Sequence, residues 1–102
     1  VGVTVWDPRV VRPLDPELVA DAARHRLVVT AEDGLRVGGF GSAIADAVAE
    51  ASLGHRTATM PYVRVLGLPD EFIPQGEPDT ILAELGLDAD GIEAQVRRLL
   101  AR

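Results

Sequence analysis

Two adjacent carboxylates are the residues best placed for acid–base or metal chemistry in this sequence of 102 residues. Glu32 and Asp33 follow the apolar run 27–31, and open α/β sheets carry their sites at the carboxyl ends of strands. Paired carboxylates at such a place could exchange protons with a substrate or bind a metal ion. Because no histidine or third carboxylate lies nearby at ligand spacing, we interpret the pair as a solvated or interface-forming loop.

A glycine-rich segment is the second candidate site, and it consists of Gly38, Gly39, Phe40, Gly41 and Ser42. It opens a predicted helix, and the free backbone N–H groups of a helix N-terminus can bind a phosphate. Its spacing matches neither the dinucleotide-binding fingerprint nor the P-loop, and a loop rather than a strand precedes it directly. Glycines at such a place also allow tight entry into a helix and close packing on a sheet. We favour this structural interpretation.

The remaining residues with reactive side chains form no recognisable catalytic set. His25 lies between two arginines at the end of a predicted helix, and His55 lies in an irregular segment. Neither belongs to a Ser/His/Asp arrangement. Trp6 and Phe40 are interpreted as anchors of a core or an interface. The chain contains no cysteine, which excludes disulfides and thiolate chemistry.

The composition of the chain limits the kinds of partner that it can bind. Hydrophobic residues make up 47% and charged residues 25% of the chain, as in ordinary globular domains. The formal net charge of −6 is unfavourable for binding a nucleic-acid backbone, and no apolar run reaches the length of a membrane span. We therefore expect a cytoplasmic protein that binds neither nucleic acid nor membranes. The length predicts one domain, residues 1–102.

The elements that would position these candidates alternate between strand and helix. Strands are predicted at 1–6, 27–31 and 62–67, with helices at 16–24, from about 40 to 51, at 79–85 and at 89–101. Asp15 and Asp88 are the predicted N-caps, and the apolar run 27–31 is typical of a strand covered on both faces. The predicted inward-facing residues are Leu18, Ala22, Phe40, Ile44, Val48, Ala51, Ile92, Val96, Leu99 and Leu100. This alternation predicts an α/β fold, a three-layer α/β/α domain with a mostly parallel sheet.

Two pairs of motifs carry a resemblance to a known superfamily. V-W-D-P-R at 5–9 with R-P-L-D at 12–15 resembles the V-x-D-P-R-x-x-x-P-L-D opening of transketolase-type carboxy-terminal domains. T-A-E-D-G at 30–34 with G-G-F-G-S-A at 38–43 resembles a second motif pair of the same domains. The beta subunits of thiamine-dependent 2-oxo-acid dehydrogenases share both, so these motifs identify the superfamily alone.

A third motif separates these two families. L-G-L-P-D-E-F-I-P-Q-G at 66–76 is similar to the L-G-[LI]-P-D-x-F-[IV]-x-x-G signature of 1-deoxy-D-xylulose-5-phosphate synthases. I-L-A-E-L-G-L at 81–87, followed by G-I at 91–92, resembles the end of that family. We interpret Pro69, Asp70 and Phe72 as a rigid loop whose aromatic ring is buried and whose carboxylate caps backbone donors. Residues 53–61 form a longer segment than the family pattern, which we expect to be a surface excursion. The alternatives are a docking domain of a dehydrogenase beta subunit and a stand-alone small-molecule binder.

The resemblance implies a parent enzyme that condenses pyruvate with glyceraldehyde 3-phosphate and releases carbon dioxide. Thiamine diphosphate and Mg²⁺ are its implied cofactors, and they lie between the two preceding domains. We therefore expect no catalytic, cofactor-binding or metal-binding residue in these 102 residues, and no cofactor bound to them. The implied role is structural: the domain braces the middle domain of the enzyme and contributes to a homodimer.

The resemblance also implies a sheet topology. In this family a parallel strand that precedes residues 2–6 lies between those residues and the strand at 27–31. Because the sequence starts with a strand and without methionine, we expect residue 1 to be a cut point that removes this first strand and its helix. The exposed strand edges should then pair with a segment of another chain or with a second copy.

Overall fold

The computed structural model describes residues 2–8, 13–35, 38–53, 60–68 and 78–101. Its elements in chain order are α1 (Pro16–Ala22), β1 (Leu27–Leu35), α2 (Phe40–Leu53), β2 (Tyr62–Leu68), α3 (Pro78–Glu84) and α4 (Ala89–Leu100). All four helices and β2 lie within a few residues of their predicted positions. None of these helices is long and apolar enough to cross a membrane.

The helix ends follow from local sequence. The side chain of Asp15 accepts a hydrogen bond from the backbone N–H of Glu17 at 2.9 Å, and that of Asp88 accepts one from Gly91 at 2.9 Å. Both predicted N-caps are therefore confirmed, since each carboxylate satisfies a backbone donor that has no partner within its helix. Gly86 follows α3 with φ of 73°, the left-handed conformation in which glycine commonly ends a helix.

The sheet consists of β1 and β2, which run parallel and are connected through α2. Leu27 pairs with Tyr62 and Ala31 with Leu66; after an irregularity, pairing resumes between Leu35 and Leu68. The strand predicted to end after residue 31 therefore continues to Leu35, because its backbone recovers a partner beyond the irregularity. Glu32 and Asp33 accordingly lie within β1 and not in a loop after it, which corrects that prediction.

The hydrophobic core forms where α1 and α2 meet. It consists of Leu18, Ala22, Ile44 and Val48, and Ile44 and Val48 are almost inaccessible to solvent, at 1% and 0% exposure. α2 contacts α1 and both strands, whereas α4 contacts β1. Helices packed on a parallel sheet confirm the predicted α/β class.

The strand predicted at the start of the chain is not formed. Residues 2–8 belong to no strand, and Val3 and Val5 are 72% and 86% exposed. A groove of about 420 Å³ lies between residues 2–6 and β1. The reason for the difference is physical: a strand needs a neighbouring backbone, and among the described residues no backbone hydrogen bond reaches across this groove. Ala31 is also exposed, so β1 is not covered on both faces along its whole length.

Candidate functional site

The carboxylate of Glu32 holds the N-terminus of α2. Its Oε2 accepts a hydrogen bond from the backbone N–H of Phe40 at 2.9 Å, and its Oε1 accepts one from Gly41 at 3.1 Å. The first N–H groups of a helix have no intrahelical partner, and a negative charge near them is favourable. A side chain of β1 therefore occupies the place where a phosphate would bind. The two candidate sites of the sequence form one structural contact.

The glycine-rich segment is folded back on itself. Gly38 has φ of 78°, a conformation that favours glycine, and its N–H donates to Ser42 Oγ at 3.1 Å. The carbonyl of Gly39 accepts from the N–H of Ala43 at 3.3 Å. These contacts position the first turn of α2 so that its N–H groups face Glu32. The geometry favours the structural interpretation of this segment over the phosphate-binding one.

Gly41 is the point of closest approach between α2 and the sheet. A Cβ at this position would lie 2.5 Å from Thr30 Oγ1 and closer still to Val65 Cγ1, which no real side chain tolerates. Thr30 is buried, and its hydroxyl has no hydrogen-bond partner among the residues that the structure describes. Close packing and the Glu32 contact therefore act at the same turn of α2, and together they fix the helix on β1.

A second polar cluster surrounds Asp21 on α1. Asp21 Oδ2 accepts a hydrogen bond from Trp6 Nε1 at 2.8 Å, and Oδ1 accepts one from the Arg24 guanidinium at 2.7 Å. His25 Nε2 lies 3.6 Å from Oδ2. The hydrogen bond from Trp6, followed by that from Arg24, lowers the pKa of Asp21 below its ordinary value. This cluster holds the segment 2–8 against α1.

Sequence reasoning missed the Asp21 cluster. The spacing of Asp21 to Arg24 and His25, three and four residues along one helix, is the signal that could have indicated their part of it. Nothing local indicates the contribution of Trp6, because fifteen residues separate it from Asp21. The Asp21 carboxylate already accepts hydrogen bonds from Trp6 and Arg24, and no serine, threonine, cysteine or lysine stands among these four residues, so the cluster suits a tether better than a reaction.

The described residues do not fit the cofactors that the family resemblance implies. Magnesium at a diphosphate is bound through carboxylates, and no group of three or more metal-ligating side chains exists in the described part of the chain. The N–H groups at the start of α2 already bind Glu32. We therefore derive no reaction step through thiamine diphosphate or magnesium. The predicted loop residues Pro69, Asp70 and Phe72, like His55, lie outside the described residues.

The family comparison and the similarity to individual proteins agree with each other. A sequence model of the family described as "Transketolase, C-terminal domain" matches residues 1–92. Proteins named 1-deoxy-D-xylulose-5-phosphate synthase from Thermobifida fusca and Syntrophotalea carbinolica are 44% and 45% identical to 100% and 98% of the chain. The synthase of Cupriavidus metallidurans is 50% identical over 95% of the chain.

These matches cover a small part of each relative. The chain spans 15% of the length of the Thermobifida fusca and Syntrophotalea carbinolica proteins and 14% of the Cupriavidus metallidurans protein. Together with the parallel strands joined through α2 and the glycine-rich start of that helix, the family match decides the classification. The chain belongs to the transketolase C-terminal domain family.

Proposed function

We propose that the chain serves as the carboxy-terminal structural and assembly domain of a 1-deoxy-D-xylulose-5-phosphate synthase. The observation that carries this proposal is its similarity to proteins of that name along its whole length, 44% identity over 102 residues for the Thermobifida fusca protein. The non-catalytic role is supported by Glu32, whose two carboxylate oxygens both accept hydrogen bonds from the backbone of α2.

The proposed parent enzyme condenses pyruvate with glyceraldehyde 3-phosphate and releases carbon dioxide. Its product supplies the synthesis of isoprenoids, thiamine and pyridoxal. Thiamine diphosphate supplies the carbanion chemistry, while other domains of the enzyme hold it together with Mg²⁺. The present domain packs against those domains, contributes to a homodimer and works in the cytoplasm.

A docking domain of a 2-oxo-acid dehydrogenase beta subunit remains the alternative from another class. It shares the motifs around Asp7 and Glu32. The segment 66–76 supports the synthase, and the three relatives described above carry the synthase name. A requirement of the intact parent for a lipoyl-bearing partner would favour the alternative.

A chimera tests the proposal directly. The present 102 residues would replace the matching segment of the Thermobifida fusca protein, with deletion of that segment as the comparison. We expect the chimera to form dimers and make deoxyxylulose phosphate, and the deletion to lose both properties. A deletion variant with undiminished turnover and dimer formation would contradict an assembly role.

The same chimera separates assembly from catalysis. Glu32→Ala should lower the melting temperature but leave kcat unchanged at temperatures where the chimera stays folded. The matched control is Glu50→Ala, which removes an exposed carboxylate near the other end of α2. A fall in kcat for Glu32→Ala alone, with the fold intact, would show that this residue acts in the reaction.

A further inference from the structure

We draw no further inference here: the strongest candidate, the exposed surface patch of Met60, Tyr62 and Arg64 at the start of β2, carries nothing because no feature of the described residues shows what covers it.

Discussion

The Glu32 carboxylate joins β1 to α2 through two backbone hydrogen bonds, at 2.9 and 3.1 Å. Glu32→Ala leaves both donors without this partner and should lower the free energy of unfolding by about 1–3 kcal/mol in urea titrations. Glu32→Gln keeps only one acceptor oxygen, so its free energy of unfolding should lie between those of the unmodified chain and of Glu32→Ala. Glu50→Ala, on the exposed face of the same helix, should change stability by less than about 0.5 kcal/mol. Equal effects at Glu32 and Glu50 would contradict the capping role.

Gly41 is predicted to tolerate no side chain. A methyl group there would collide with Thr30 and Val65, so α2 would have to move away from the sheet. We expect Gly41→Ala to lower the free energy of unfolding by about 1–3 kcal/mol, as overpacking commonly does. Gly2→Ala is the control, because a Cβ at Gly2 meets no atom within 4 Å. Unchanged thermal unfolding of Gly41→Ala would show that the helix lies farther from the sheet than described.

The Asp21 cluster predicts a pH dependence that fluorescence can follow, because Trp6 is the one tryptophan of the chain. Hydrogen bonds from Trp6 and Arg24 lower the pKa of Asp21. The ionised cluster is therefore fully favourable above the ordinary aspartate pKa of about 3.9 and is lost as the pH falls through the lower value of the folded chain. We expect Trp6 emission to change only below about pH 4. Asp21→Asn, which cannot ionise, should abolish this change. An identical pH dependence of Trp6 emission in the unmodified chain and in Asp21→Asn would contradict the prediction.

At the scale of elements, local sequence accounts for the helices. Caps at Asp15 and Asp88 and the spacing of Leu18, Ile44 and Val48 are local patterns, and the structure confirms them. Two features depend on distant backbone and could not be obtained locally. β1 continues past its irregularity because Leu35 pairs with Leu68, whereas residues 2–6 form no strand and have no backbone hydrogen bond to another element among the described residues.

The candidate site shows the same division. Glu32 and the segment 38–42 were each recognised from residue type and position. The hydrogen bonds that join them were not, because they depend on how closely α2 approaches β1. The contact between Trp6 and Asp21 depends on the path of the chain between them. The roles of these residues therefore depend on contacts between elements that are distant in sequence, which residue type and position do not reveal.

The sequence at 66–76, of which residues 69–76 lie outside the described part of the chain, supports a prediction about packing rather than turnover. The Leu-Pro-Asp-x-Phe pattern after a strand predicts a rigid loop with a buried aromatic ring. Phe72→Ala should then lower the free energy of unfolding by about 3–5 kcal/mol, as for other buried aromatic residues. Tyr62→Ala is the control, since Tyr62 is 50% exposed and should matter less. If the melting temperature of Phe72→Ala equals that of the unmodified chain, the ring is exposed and the interpretation is wrong.

At the scale of the whole molecule, the net charge and the supply of ligating groups both act against binding of the cofactor. A net charge of −6 opposes the approach of a diphosphate anion, although a bound divalent cation could offset this repulsion. Such a cation needs several oxygen ligands, and no cluster of three ligating side chains exists among the described residues. The backbone donors at the start of α2 are already bound to Glu32.

We therefore predict that the 102-residue chain binds no thiamine diphosphate in the presence of magnesium and has no synthase activity. Isothermal titration calorimetry should give only the heat of dilution, whereas the full-length Thermobifida fusca relative, titrated identically, serves as the positive control. The Glu32→Ala variant is the informative third sample, because it frees the N–H groups of Phe40 and Gly41. If that variant also fails to bind, carboxylate occupancy is not the sole barrier, which agrees with the lack of a metal-ligating cluster among the described residues. Micromolar binding to the unmodified chain at one-to-one stoichiometry would contradict the proposed division of labour, in which this domain assembles the enzyme and other domains hold its cofactor.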